Sequence, residues 1–197
     1  MTEQGAGWRK LWLLAGASIV VGLSVTGCGY TPANVTKVPP VTPGKKQYLT
    51  YQPDKYVSAP SLTQKWLKTD TTSHFVTVFL TLPANGLALN GYYNGFAEID
   101  VPVGWKVTLS FRDENPDISG NLAVVLPHYV GQRTVSPAIS GALGSSANST
   151  TEPTTLTFTP TKTGNYVVES VPTAASGSWL WFVVTPKSET PQVKLRK

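Results

Sequence analysis

Side chains able to hold a transition metal are scarce in this 197-residue chain: one cysteine, Cys28, one methionine, Met1, and two histidines, His74 and His128. A redox-active copper ion asks for imidazole and thiolate donors brought together in one small space, so the placing of these few residues decides what metal chemistry is open. The patterns of catalysis are missing. The chain has no Gly-x-Ser-x-Gly elbow, no phosphate-cradling glycine loop and no histidine spaced against a nucleophile. Asp113 and Asp117 are two acids of the kind a glycosidase pairs, but nothing in the pattern sets them in a cleft. The same run, Asp113-Glu114-Asn115-Pro116-Asp117, opens like a calcium loop. Ile118 stands where such a loop needs Gly, and its closing Glu is missing, so the run reads as a solvated polar turn. Asn34-Val35-Thr36 and Asn148-Ser149-Thr150 spell glycosylation sequons that chance alone supplies. The chain reads as a non-enzyme.

Cys28 is claimed by a different chemistry. Arg9-Lys10 precede a thirteen-residue apolar run, Leu11–Leu23, shorter than the roughly 20 residues a membrane span needs. The run ends in Val25-Thr26-Gly27-Cys28, which resembles a bacterial lipobox. That resemblance implies a signal peptide over residues 1–27, a thioether-linked diacylglycerol on Cys28 and a location on the outer face of the cytoplasmic membrane. Two or more acyl chains, at about 0.8 kcal/mol per buried methylene, anchor a protein firmly. With its sulfur alkylated, Cys28 offers no thiolate to a metal and no disulfide partner. Residues 28–46 hold Pro32, Pro39, Pro40 and Pro43 without hydrophobic period, and read as a tether. In a polyproline-like state the eighteen residues Gly29–Lys46 reach roughly 55 Å.

Composition narrows the partners. Loss of Arg9, Lys10 and Glu3 with the leader takes the net charge from +5 to +4, and the remaining charges are scattered, which argues against nucleic acid. A folded part of roughly 150 residues is large enough to bury about 70% of its unfolded surface. Few charges with much Thr, Ser, Gly and Pro suit a secreted β protein.

The elements that must position any site are strands. Phe75–Leu82 alternates with Val76, Val78, Leu80 and Leu82 on one face, and Lys106–Arg112 does so with Val107, Leu109 and Phe111. Phe96–Val101 sets Ile99 and Val101 inward and Glu98 and Asp100 outward. Leu122–Leu126, Thr155–Thr159, Tyr166–Ser170 and Trp179–Thr185 are further strands, and Tyr48–Gln52 is a first short one. Ser61-Leu62-Thr63-Gln64 matches a capping box, with Leu62 and Trp66 on one face, so Ser61–Thr69 is expected as one short helix. Asn85-Gly86, Asn90-Gly91 and Asn94-Gly95 mark turns. The long Pro127–Pro153 segment reads as a connection, residues 47–186 as the domain, and residues 187–197 as a loose basic tail.

Glu169-Ser170-Val171-Pro172-Thr173-Ala174-Ala175-Ser176-Gly177-Ser178-Trp179 resembles the copper-ligand loop of cupredoxins, and of sulfocyanins in particular. The block from Asn90-Gly91-Tyr92-Tyr93-Asn94-Gly95 through Val101-Pro102-Val103-Gly104-Trp105 is similar to the same family, and the likeness covers about 76–185. It implies an all-β, cupredoxin-like Greek-key β-sandwich with a copper cofactor. The ligand positions of the family fall on Gly120 for one His, on Glu169 or Ser170 for the Cys, on Thr173 for the second His and on Ser178 for the Met. None is a copper donor of the expected kind, so no metal is expected there. If neighbouring strands alternate in direction, His74 and His128 lie at the far pole and replace nothing; a surface metal pair of these two is a further reading. Loss of the donors from a retained loop frame suggests a membrane-tethered interaction or structural module, and the family implies respiratory or redox proteins as its partners. Its contact surface is expected around Tyr92, Tyr93, Pro172 and Trp179, aromatic and apolar anchors of the kind interfaces favour, although Trp179 is equally suited to the core. Residual copper binding or electron transfer is the alternative, and glycan binding through Tyr92 and Tyr93 a second one.

Overall fold

The computed structural model describes residues 49–115, 121–132, 134–145 and 152–197. The leader, Cys28, the tether, Gly120, Asp117 and both sequon asparagines lie outside the described residues. In chain order the elements are β1 (Tyr56–Ser58), α1 (Pro60–Trp66), β2 (Leu67–Asp70), β3 (Phe75–Leu82), β4 (Ala97–Pro102), β5 (Lys106–Asp113), β6 (Asn121–Val125), β7 (Leu143–Ser145), β8 (Thr154–Phe158), β9 (Gly164–Ser170), β10 (Trp179–Thr185) and β11 (Gln192–Arg196).

Two sheets face each other. One runs β1-β11-β4-β10-β9-β6-β7 and the other β2-β3-β5-β8. The alternation of β3 and β5 is the reason for the smaller sheet's inner face: Val76, Val78, Leu80, Leu82, Val107, Leu109 and Phe111 are all buried. Ile99, Val101, Leu122, Val168, Leu180 and Phe182 meet them from the larger sheet. The chain is thus all-β, a sandwich with one short helix, as the sequence predicts. Pairing is mixed rather than uniformly antiparallel, because β3 pairs β5 in parallel and β4 pairs β10 in parallel.

The larger sheet is buried on both faces. Every residue of β10 is buried, which suits its unbroken Trp179-Leu180-Trp181-Phe182-Val183-Val184 run. Its outer face carries a second apolar cluster of Tyr56, Ala123, Val125, Val167, Trp179, Trp181 and Val183. Leu49 and Tyr51 cover one part of this cluster, Val130, Val135 and Val171 another. Glu98 and Asp100 therefore do not face solvent; each is fully buried beneath that cover.

Three local expectations change. The capping box does not form: Ala59 caps α1 without a side-chain bond, and Pro60 takes the first turn, where its missing N–H is no loss. The helix stops at Trp66, because Leu67 is needed in β2 against Val78. No strand forms over Leu49–Gln52; a 3-10 turn, Pro53–Lys55, leads instead into β1. The expected loose tail over 187–197 is corrected most fully. After a turn at Pro186–Glu189 it returns as β11 between β4 and β1, with Val193 fully buried and its amide bonded to Thr63 Oγ1 at 2.8 Å. Gln192, Lys194 and Arg196 alternate with Val193 and Leu195, so a strand signal lay beneath the positive charge.

Candidate functional site

The loop between β9 and β10 closes one pole of the sandwich, held by its backbone from three sides. Val171 N–H donates to Asn121 O (2.8 Å), Asn94 N–H to Gly177 O (2.9 Å) and Gly95 N–H to Trp179 O (3.1 Å). A 3-10 turn, Ala174–Ser176, ends at Gly177 with φ +105°. A Cβ there would sit 2.8 Å from Asn94 Oδ1, so glycine is required for both conformation and space.

Within this loop the structure joins three of the predicted positions. Ser170, Thr173 and Ser178 are all buried. Thr173 Oγ1 bonds Ser170 Oγ at 3.0 Å, and Ser170 N–H donates to Ser178 O at 3.0 Å. Ser178 Oγ donates to Gly86 O (3.0 Å) and accepts from Ala88 N–H (3.2 Å), which ties the loop to the turn after β3. Glu169 is not part of this group. As the neighbour of Ser170 along a strand it points to the other face, where Oε2 accepts Gly131 N–H at 3.0 Å. Its Oε1 is buried without a partner, and burial pushes the carboxyl up to about 7 against the Gly131 bond. Of the two candidates for the family's Cys position, Ser170 is the one that stands with Thr173 and Ser178.

These donors do not fit a copper ion of the blue-copper kind. They are neutral hydroxyls whose bonds run to one another and to backbone, whereas that site needs thiolate and imidazole. The chain's one Cys and one Met stand at positions 28 and 1. Neither histidine is bonded to this group. His74 precedes β3 at its opposite end, with φ 51°, packed edge-on to Trp105 (5.3 Å). His128 follows β6, in the turn Pro127–Tyr129, tilted against Tyr129 (centroids 4.0 Å apart, 47°). Among the described residues no group of three or more His, Cys, Asp or Glu side chains is placed to hold a metal. Asp113 closes its own turn, accepting Asn115 N–H at 3.0 Å.

The expected contact surface is rearranged. Trp179 is buried against Trp181 (centroids 5.7 Å apart, 86°), with Gly95 pressed on both indoles, so it belongs to the core. Tyr92 packs on Trp66 (5.4 Å) and is half-buried. Tyr93 stays at the surface against Phe96 (5.7 Å). Pro172 is exposed and lines a cleft of about 430 Å³ with Gly131, Val171 and Ala175. Phe96 and Leu87, which the sequence reading passed over, are exposed by 38% and 50% and belong to the apolar surface of the same pole.

A second polar cluster was missed altogether. Lys194 Nζ lies 3.1 Å from Glu98 Oε1 and 2.6 Å from Asp100 Oδ2, on the outer face of the larger sheet. Burial first and then Glu98 push Asp100 up to about 7, with Lys194 acting in the opposite sense. At Lys194 burial works against the charge, but the two acids outweigh it and hold its pKa above the ordinary value. The alternation of β11 was the available signal.

Comparison with known proteins gives likenesses of structure only. No protein-family model matches the chain, and no curated protein does. Among solved structures it is similar to auracyanin B (17% identity, TM-score 0.42, covering 60% of this chain and 94% of that one). It is similar also to reduced rusticyanin (18%, TM-score 0.45, 66% and 96%) and to rusticyanin from Thiobacillus ferrooxidans (22%, TM-score 0.40, 66% and 96%). Rusticyanin is a copper protein. The two-sheet β-sandwich itself stands on the strand order and pairing of this chain.

Proposed function

We propose that this chain is a lipid-anchored, extracytoplasmic module with a sulfocyanin-like loop frame and no blue-copper centre, acting as an interaction or structural element beside redox or respiratory proteins. One observation carries the reading. The positions that resemble copper ligands include Ser170, Thr173 and Ser178; the first two bond each other through their hydroxyls, and the Ser178 hydroxyl is taken up by Gly86 O and Ala88 N–H, so together they plug the pole. Such a plug rigidifies the pole, whose surface offers the exposed apolar side chains of Leu87, Phe96 and Pro172 with Tyr93 half-buried beside them. Exposed aromatic and apolar side chains on a rigid frame suit recognition of another protein. The apolar run before Cys28 supports the anchor.

Titration of the full chain in detergent with Cu(II) and Cu(I) tests the central point. No intense blue charge-transfer band and no tight binding are expected. A tight site abolished by Glu169→Ala, or by joint substitution of His74 and His128, would replace this reading with copper handling. For the anchor, Cys28→Ala is expected to move the protein from the membrane fraction to the soluble extracytoplasmic one.

A further inference from the structure

The acids on β4 sit beneath the segment that leads into the domain. Leu49 and Tyr51 pack on the outer face of the larger sheet, Tyr51 edge-on to Trp181 (5.2 Å) and stacked with Tyr56 (5.9 Å). Tyr56 O–H donates to Gly95 O. The segment is tied to the sheet by three residues of β1 against β11, by Lys197 N–H to Lys55 O at 2.9 Å, and by the Tyr51 hydroxyl on Glu98. Beneath it lie two fully buried carboxyls and one ammonium. With both acids ionised the cluster carries a net negative charge away from water, with Asp100 Oδ1 lacking a hydrogen-bond partner. An uncompensated buried charge is strongly unfavourable, and opening the thinnest cover relieves it.

We propose that Leu49–Ser58 is a proton-dependent latch, seated over β4 while Asp100 carries its proton and lifted when that proton leaves. The groups that face Asp100 are consistent with this. From the latch come the phenols of Tyr51 and Tyr56; burial first, and its hydrogen bond to Glu98 next, raises Tyr51 well beyond the ordinary range, and burial lifts Tyr56 to about 12, so both stay neutral. From β11 come Lys194 and, near Tyr56, Arg196, both cationic throughout, with neutral Gln192 opposite Asp100. From β10 the neighbours are Trp181 and Val183, which do not titrate. On the strand itself the other acid is Glu98, 3.1 Å from the Lys194 ammonium. Asp100 is therefore the group whose charge changes near neutrality, pushed up to about 7 by burial and Glu98. Lifting the latch bares the Trp181 indole and adds the segment's own length to the chain that precedes it.

Hydrogen exchange followed by mass spectrometry on the full chain in detergent tests this, with protection corrected for the intrinsic pH dependence of exchange. Peptides covering 49–58 are expected to lose protection on the order of tenfold between about pH 5.5 and about pH 8.5, while β6 and β9 do not. Asp100→Asn, a neutral side chain of the same shape, is expected to keep the latch seated at both pH values, and Glu98→Gln serves if that variant fails to fold. Glu169→Gln is expected to leave the latch response intact. Equal protection at both pH values in the wild type, or a response that survives Asp100→Asn or vanishes in Glu169→Gln, overturns the proposal.

Discussion

Replacing Glu169 by Gln isolates the energetics of a single buried acid. Glu169 is fully buried on the outer face of β9, one oxygen on Gly131 N–H and the other unpartnered. Below about pH 4.5 the carboxyl is protonated whether the chain is folded or not, and the folded state has its full advantage. As the pH rises the unfolded chain gives up its proton near 4.5 while the folded chain holds it to about 7, so stability falls across that window and is level above it. The gap corresponds to at most about 3 kcal/mol. Asp100, with ordinary and folded values of 3.8 and about 7, contributes a loss of the same sign. Gln keeps the bond to Gly131 but turns the unpartnered oxygen into a donor, a cost of about 1 kcal/mol that does not vary with pH. Slope, not offset, is therefore the observable. In urea unfolding of the full chain from about pH 4 to about pH 8.5, the variant should lose roughly half of the wild-type decline and be the more stable protein at the alkaline end. Parallel stability curves for the two proteins would refute the assignment of a buried, proton-retaining Glu169.

Other perturbations address the pole and the core. Gly95→Ala puts a Cβ 2.5 Å from the Trp179 ring at φ +68°; a loss of about 3 kcal/mol or more is expected, together with a changed near-UV circular dichroism of the Trp179–Trp181 pair. Ser178→Ala removes the bonds to Gly86 O and Ala88 N–H and should destabilise by about 1–3 kcal/mol in urea unfolding, with copper titration as featureless as in the wild type. Lys194→Met leaves Glu98 and Asp100 with no cation; a loss of about 3 kcal/mol is expected at alkaline pH and a smaller one near pH 5, read from thermal melts at both. Leu180→Ala, at the centre of the inner face, is expected to cost about 3 kcal/mol by the same melts.

Periodicity made the inner faces legible. Val76 to Leu82 and Val107 to Phe111 needed only the rule that alternate side chains share a face. What the period could not supply was the cover on the other side. Glu98 and Asp100 alternate with Ile99 and Val101 as surface acids do, and only a segment forty residues away, Leu49–Ser58, makes them interior. The unbroken apolar run of β10 was the hint that its sheet is buried twice over. Helix α1 illustrates a competition between local signals: Pro60 set the start that Ser61 seemed to claim, and pairing of Leu67 with Val78 overrode the continued helix. At the pole, the loop frame located Ser170, Thr173 and Ser178, but letters alone left Glu169 and Ser170 equivalent. Strand geometry separates them, because successive residues point to opposite faces.

The return of the C-terminus beside β4 constrains how the molecule is assembled. Lys194 meets Glu98 across 96 positions of sequence, and β11 supplies the neighbour of both β4 and β1. A nascent chain emerging from its N-terminus therefore has β2, β3 and β5 in hand early, yet lacks the last ribbon of its larger sheet until residues 192–196 are made. Contacts of such long separation form slowly, and until then the open edge of β4 and the indoles beside it are exposed to neighbouring chains. Closure of the larger sheet thus waits on Gln192–Arg196, the last of its strands in chain order.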